Sequence, residues 1–223
     1  MKFLDIFKKK LDGQGERVDI NYYKMNYANF DMYQKSHFHR YNFAQGFLKN
    51  NDVVGDFACG SGYGSMMLSE KSSEVIGADL DSEVVEFISK RYSKNKKVIF
   101  ENLNLLDLKY ENIFDKIISF ETVEHLSEND ISTLFLIYHK ALKKDGLLVF
   151  STPFNQERTE QAIKMGFHLT FNIVEDTIQK WLNSAGFELI DNYFQNYDKH
   201  EVVKELERKE FIITVAKKIV DEK

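Results

Sequence analysis

The stretch DFACGSGYG, Asp56–Gly64, decides how this chain is read. Three glycines alternate with small or aromatic residues directly after a carboxylate. Upstream, DVVGDFA (52–58) is an apolar run suited to a buried strand, and downstream the pattern turns helical through about Lys71. A bare backbone between strand and helix lets a ligand touch N–H groups, and the helix N-terminus favours an anion. A phosphate-binding P-loop needs Gly-Lys-Ser/Thr after its last glycine, yet Gly64 is followed by Ser65 and Met66. A dinucleotide fingerprint, G-x-G-x-x-G, fits Gly60 and Gly62 but meets Ser65 in its third place, with the third glycine at 64.

Outward from the loop, strand and helix signals alternate. EVIGADL (74–80), KVIFENL (97–103), FDKIISF (114–120) and LLVFST (147–152) read as strands, with FELIDNYF (187–194) and EFIITVAKK (210–218) as the last two. DSEVVEFISKRY (81–92) is a helix capped by Asp81 or Ser82. Ser127 with Asp130 opens another, with Ile131, Leu134, Phe135, Tyr138 and Leu142 at helical spacing, and KKDG stops it. Residues 153–170 read as a loop, and Asn172 with Glu175 starts a further helix ending at SAG. Gly55 is out of place in a strand interior, which points to close packing beneath the loop. Unbroken apolar strands alternating with helices predict an α/β, doubly wound, seven-stranded and mostly parallel sheet covered on both faces. Ligands of such sheets sit at the carboxyl ends of the strands.

At 223 residues the chain suits one such domain with additions: residues 1–50 as an N-terminal cap and 51–223 as the catalytic body. A net charge of −5 argues against a general nucleic-acid binder. The single cysteine, Cys59, excludes an internal disulfide. No apolar run approaches a membrane span, and the amphipathic start MKFLDIFKKKL lacks a secretory cleavage site. Phe3, Leu4, Phe7 and Leu11 fit a terminal helix packed on its own domain, and the expected compartment is the cytoplasm.

The loop DFACGSGYG closely resembles the E/D-x-G-x-G-x-G loop of class I S-adenosylmethionine-dependent methyltransferases, with Asp56 in the acidic place and Gly60, Gly62 and Gly64 matching one by one. NLNLLDL, FDKIISFETVEHL, LKKDGLLVFSTPF and AGFELID resemble later segments of the same family, in its ubiquinone-biosynthesis-like branch, over about residues 36–217. The resemblance implies S-adenosylmethionine as cofactor and S-adenosylhomocysteine as its product. Asp79, 19 residues after Gly60, then grips the ribose hydroxyls, a feature shared with nicotinamide binders. Leu80 and Leu105 sandwich the adenine, and Asn104 stands where the family usually has Asp. Arg40 in HFHRYNFAQ resembles an upstream arginine that holds the cofactor's carboxylate. The ammonium goes to the Ala58 or Cys59 carbonyl or to water held by Asp56. Tyr63 and Glu121 complete the cofactor set.

His37, His39, His125 and His168 lie in segments that should face the site, whereas His139 reads as solvated and His200 as part of a late polar loop. His168 or His125 is the expected base, with Tyr23 and Glu121 as further catalytic candidates. Glu121, Glu124, His125 and His168 also look like the magnesium-binding set of small-RNA 3′-end methyltransferases, but the E-x-x-E-H pattern occurs in metal-free relatives too. The working reading is metal-free, with magnesium as the alternative.

Residues 20–43 hold eight aromatics in 24 positions: Tyr22, Tyr23, Tyr27, Phe30, Tyr33, Phe38, Tyr41 and Phe43. They resemble the family's cap over cofactor and acceptor, and tyrosine faces suit a sugar or nucleotide. Lys24, Lys35 and Arg40 could meet a phosphate. The combination HFHRY, ACGSGYGS, SFETVEHL and STP resembles bacterial methyltransferases of surface-glycan and capsule biosynthesis. It implies a small polar O-acceptor: a sugar hydroxyl, a nucleotide-linked group or a phosphoramidate. An aromatic or quinone-type acceptor is the alternative, an N-acceptor comes third, and a catalytically silent cofactor-binding subunit is the different-class reading. The expected assembly is a monomer or homodimer without nucleic-acid partners.

Overall fold

The computed structural model describes residues 17–166 and 168–219, so the expected terminal helix with Phe3, Leu4, Phe7 and Leu11 lies outside the described residues. Seven strands form one sheet: β1 (Val53–Phe57), β2 (Glu74–Asp79), β3 (Val98–Asn102), β4 (Phe114–Phe120), β5 (Leu142–Pro153), β6 (Phe187–Gln195) and β7 (Phe211–Lys218). Their order is β3-β2-β1-β4-β5-β7-β6. The pairs β2–β3, β1–β2, β1–β4 and β4–β5 are parallel, and β7 runs antiparallel to both β5 and β6. The strand order reverses between β1 and β4, so the loops that follow those strands open one crevice.

Helices cover both faces. They are α1 (Met32–Ala44), α2 (Tyr63–Leu68), α3 (Ser82–Arg91), α4 (Glu128–Ala141), α5 (Glu160–Met165) and α6 (Glu175–Ser184). Adjacent strand residues point to opposite sides, so Ile117 and Ile118 of β4 enter different cores. Ile117, Phe57 and Phe150 pack with Leu134, Phe135 and Tyr138 of α4 and Ile178 and Leu182 of α6. Ile118, Val54 and Val149 pack with Tyr41 and Ala44 of α1 and Tyr63, Met67 and Leu68 of α2. Each buried side chain of this kind stabilises the fold by roughly 1.5–3 kcal/mol.

The caps are local and mostly as expected. Asp81 accepts the Glu83 and Val84 N–H groups, Ser127 accepts that of Asp130, and Asp31 with Gln34 forms a capping box on α1. Two expectations are corrected. The N-cap of α6 is Val174 with no side-chain bond, because Asn172 takes a left-handed φ of 54° and turns the chain before the helix. The segment 153–170 contains α5, started by Thr159, whose hydroxyl accepts the Ala162 N–H. At Gly55 the Phe57 ring lies 2.7 Å from where a Cβ would sit, which accounts for glycine inside β1.

Candidate functional site

The loop after β1 builds the first wall. Gly62 caps α2 with φ 73°, a conformation that a side chain disfavours. Gly64 lets the Tyr41 ring approach to 2.0 Å of its absent Cβ, so α1 lies directly on the loop's helix. Tyr41 then donates its hydroxyl to Asp56 Oδ1 at 3.1 Å, and Ser65 donates to Oδ2 at 2.5 Å. Asp56 is thereby buried behind the loop rather than on the cavity wall, and burial pushes its carboxyl up to about 7 despite the two hydroxyl donors.

Asp79 closes β2 and binds the loop to the strand. Its Oδ2 accepts the Gly60 N–H at 2.9 Å, and its Oδ1 accepts the Asp81 N–H at 3.0 Å. Asn102 at the end of β3 donates to the carbonyls of Asp79 and Leu80, fixing the turn that carries Leu80. A cavity of about 380 Å³ opens here, within the size range of small-molecule and cofactor sites. Ala58, Gly60, Tyr63, Asp79, Leu80, Asn104, Leu105, Glu121 and His125, all candidates from the sequence, line it. Arg17, Val18, Ser61, Leu103, Leu106 and Thr122 line it too and were not anticipated. Leu80 is 72% exposed, an apolar surface held open in the cavity wall. Gly62 shapes the loop without lining the cavity, and Asn104 uses its side-chain oxygen to cap the Leu106 N–H.

A second cavity of about 690 Å³ adjoins the first. Arg17, Val18, His37, Glu121 and His125 line both. The outer cavity adds Tyr33, Glu124, Gln156, His168, Tyr197, Lys209 and Phe211. The His125 and His168 rings meet edge to face at 5.1 Å, and His168 Nδ1 lies 2.6 Å from Gln156 Oε1. That amide oxygen only accepts, so Nδ1 is the donor in this contact. One ligand atom from each of Glu124, His125 and His168 lies within 4.8 Å of the others. Glu124 Oε2 is buried with no hydrogen-bond partner among the described residues, and burial, with Glu121 nearby, pushes that carboxyl well above the usual carboxylate range.

Besides Asp56 and Gly62, three predicted residues stand off the cavity walls. Arg40 is wholly buried and lines neither cavity; its Nε donates to Gln195 Oε1 at 2.7 Å and its Nη1 lies 3.2 Å from Glu121 Oε1. Its guanidinium also covers the Phe211 ring at 4.1 Å. Tyr23 is half-exposed against Tyr22 and Tyr92, away from both cavities. His39 bonds Tyr27 at 2.8 Å instead of facing the site. Glu121 itself sits at φ 50°, a strained backbone for a non-glycine residue, and takes the Ser151 hydroxyl at 2.7 Å.

Comparison with known proteins places this geometry. Residues 54–146 match the family described as "Methyltransferase domain". The phosphoethanolamine N-methyltransferase of Plasmodium falciparum is 36% identical over 106 residues, covering 47% of this chain and 40% of that protein. The chain thus spans less than half the length of the curated relatives it matches. The [4+2]-cyclase SpnF superposes with a TM-score of 0.72 at 14% identity, over 97% of this chain and 93% of its own. The 1,6-didemethyltoxoflavin-N1-methyltransferase of Burkholderia thailandensis, solved with S-adenosylhomocysteine, superposes with a TM-score of 0.65 at 17% identity, over 97% and 87%.

The Burkholderia thailandensis structure holds S-adenosylhomocysteine, and the inner cavity here offers groups suited to such a molecule. The buried Tyr63 hydroxyl has no partner among the described residues and is a donor for a carboxylate. Leu80 and Leu105 offer apolar surface to a flat base, and Asp79 offers a carboxylate to a diol. The chain has the class I S-adenosylmethionine-dependent methyltransferase fold, and its residues 54–146 carry the methyltransferase-domain signature.

Proposed function

We propose that this chain transfers a methyl group from S-adenosylmethionine to an oxygen of a small polar acceptor held in the outer cavity. The observation that carries the reading is the shared wall: Glu121, His125 and His37 belong to both cavities, so donor and acceptor would meet there. The cofactor supplies an electrophilic methyl group. Asp79 holds the ribose, Leu80 and Leu105 the adenine, and Tyr63 with the glycine-loop amides the carboxylate. His168, held through Nδ1 by Gln156, or His125 beside it takes the acceptor proton. Alignment of reacting atoms about 3 Å apart supplies most of the rate. The segment before β1 acts as cap, and Tyr33 and Tyr197 offer ring faces to a sugar hydroxyl, nucleotide-linked or phosphoramidate acceptor.

A second reading is favoured by the approach of Glu124, His125 and His168. Two imidazoles and one carboxylate form a donor set that suits manganese or zinc better than magnesium, which prefers oxygen ligands. The metal would hold and polarise an acceptor oxygen, and chelation would abolish turnover.

The deciding experiment is a mass-spectrometric screen with labelled methyl donor against nucleotide-sugars, phosphoramidates and quinols, with phosphoethanolamine included because a relative bears that name. It is run with and without chelator. Label on a sugar or phosphoramidate oxygen supports the first reading, and label on nitrogen or carbon overturns it.

A further inference from the structure

Arg17 occupies the carboxylate that the ribose needs. Its Nη2 lies 3.3 Å from Asp79 Oδ1, and its Nη1 lies 3.4 Å from Asp81 Oδ2. Asp79 also accepts the Gly60 N–H on Oδ2 and the Asp81 N–H on Oδ1. A carboxylate offers about four lone-pair sites. Three are taken, by two backbone amides and one guanidinium, whereas a ribose gripped through both hydroxyls requires two. The amides belong to the glycine loop and the α3 cap and cannot withdraw without dismantling them. The guanidinium can withdraw by side-chain rotation alone.

The backbone just after Arg17 is pinned. Ser61 donates to the Val18 carbonyl at 2.9 Å, Arg91 Nη1 lies 2.8 Å from Asp19 Oδ1, and Gln34 donates to the Asp19 carbonyl at 2.9 Å. The arginine is therefore held at the cavity mouth while its side chain, about one quarter exposed, stays free to swing.

We propose that Arg17 is an internal competitor for the ribose carboxylate: it pairs with Asp79 and Asp81 and must release Asp79 for the cofactor to bind. The inference rests on the S-adenosylmethionine reading above. It makes Arg17 a residue that sets cofactor affinity by opposing it.

Calorimetry with S-adenosylhomocysteine, which carries no net charge, tests it. Loss of a part-exposed ion pair in Arg17→Ala and Arg17→Gln should tighten binding about two- to fivefold. Salt should also tighten binding to the unmodified protein between about 0.05 and about 0.5 M, by screening the clasp, and leave both variants flat. Equal or weaker binding by both variants overturns the proposal, and weaker binding would make Arg17 a residue that holds the cofactor in. If the unmodified protein binds no S-adenosylhomocysteine at all, the cofactor reading falls, and this inference with it.

Discussion

Arg40 and Glu121 form a buried ion pair, Nη1 to Oε1 at 3.2 Å, that joins α1 to the residue after β4. The pair sits behind the wall shared by the two cavities. Gln195 at the end of β6 braces it, donating in turn to the carbonyl of Ser36 on α1. Its geometry gives Arg40 the task of holding Glu121 in a left-handed backbone.

Truncating Arg40 takes the guanidinium from the Glu121 carboxylate and leaves it the Ser151 hydroxyl. Arg40→Ala should destabilise the protein by about 3–5 kcal/mol, while Arg40→Met, paired with Glu121→Gln, should recover much of that loss. Urea unfolding of the single and double variants measures both. A loss below about 1 kcal/mol for Arg40→Ala would show that the pair is not structural.

Asp56 makes stability depend on pH. Its folded pKa of about 7 lies above the ordinary value of 3.8, so the native state binds more protons than the unfolded state between them. Unfolding free energy therefore falls as pH rises through that window, by about 1.4 kcal/mol per pH unit at most, and the penalty is complete above pH 7. Asp56→Asn removes the titration, so the difference between it and the unmodified protein should narrow or reverse as pH rises from about 4 to about 8. A constant difference across that range would refute the assignment.

Asp79→Asn removes the charge and turns one of the two oxygens that accept backbone N–H groups into an NH2 donor. S-adenosylhomocysteine should bind more weakly by about 1–3 kcal/mol, through the loss of charge-assisted hydrogen bonds. Unchanged calorimetric affinity would remove Asp79 from the ribose.

The histidine pair separates binding from chemistry. His168→Ala or His125→Ala should lower turnover by about 10²–10⁴-fold, the range of a general base, with cofactor affinity preserved. Normal turnover in both single variants would mean that neither takes the proton.

Much of this was legible in the sequence because it is local. Strand periods, the Asp81 and Ser127 caps and the spacing from Gly60 to Asp79 are short-range patterns, and they placed the crevice correctly. What escaped depends on residues far apart. Gln195 reaches Arg40 across 155 positions, and Arg17 reaches Asp79 across 62. No window of sequence holds both partners of either contact. Asp56 and Arg40 carry the residue types expected at a ligand, yet α1 packing on the glycine loop encloses both. Gly64 was the one clue to that packing, since only a missing side chain admits the Tyr41 ring.

The inserted position of β7 has a consequence for synthesis. A chain emerging from the ribosome displays β5 and β6 before the strand that bridges them, since β7 pairs with β5 from Leu147 to Pro153 and with β6 from Phe187 to Gln195. One edge of β5 and the whole of β6 must wait without this partner until β7 has been made through Lys218. A nascent-chain series should gain protease resistance abruptly on clearing that residue, and a stall just upstream is where chaperones would be needed most.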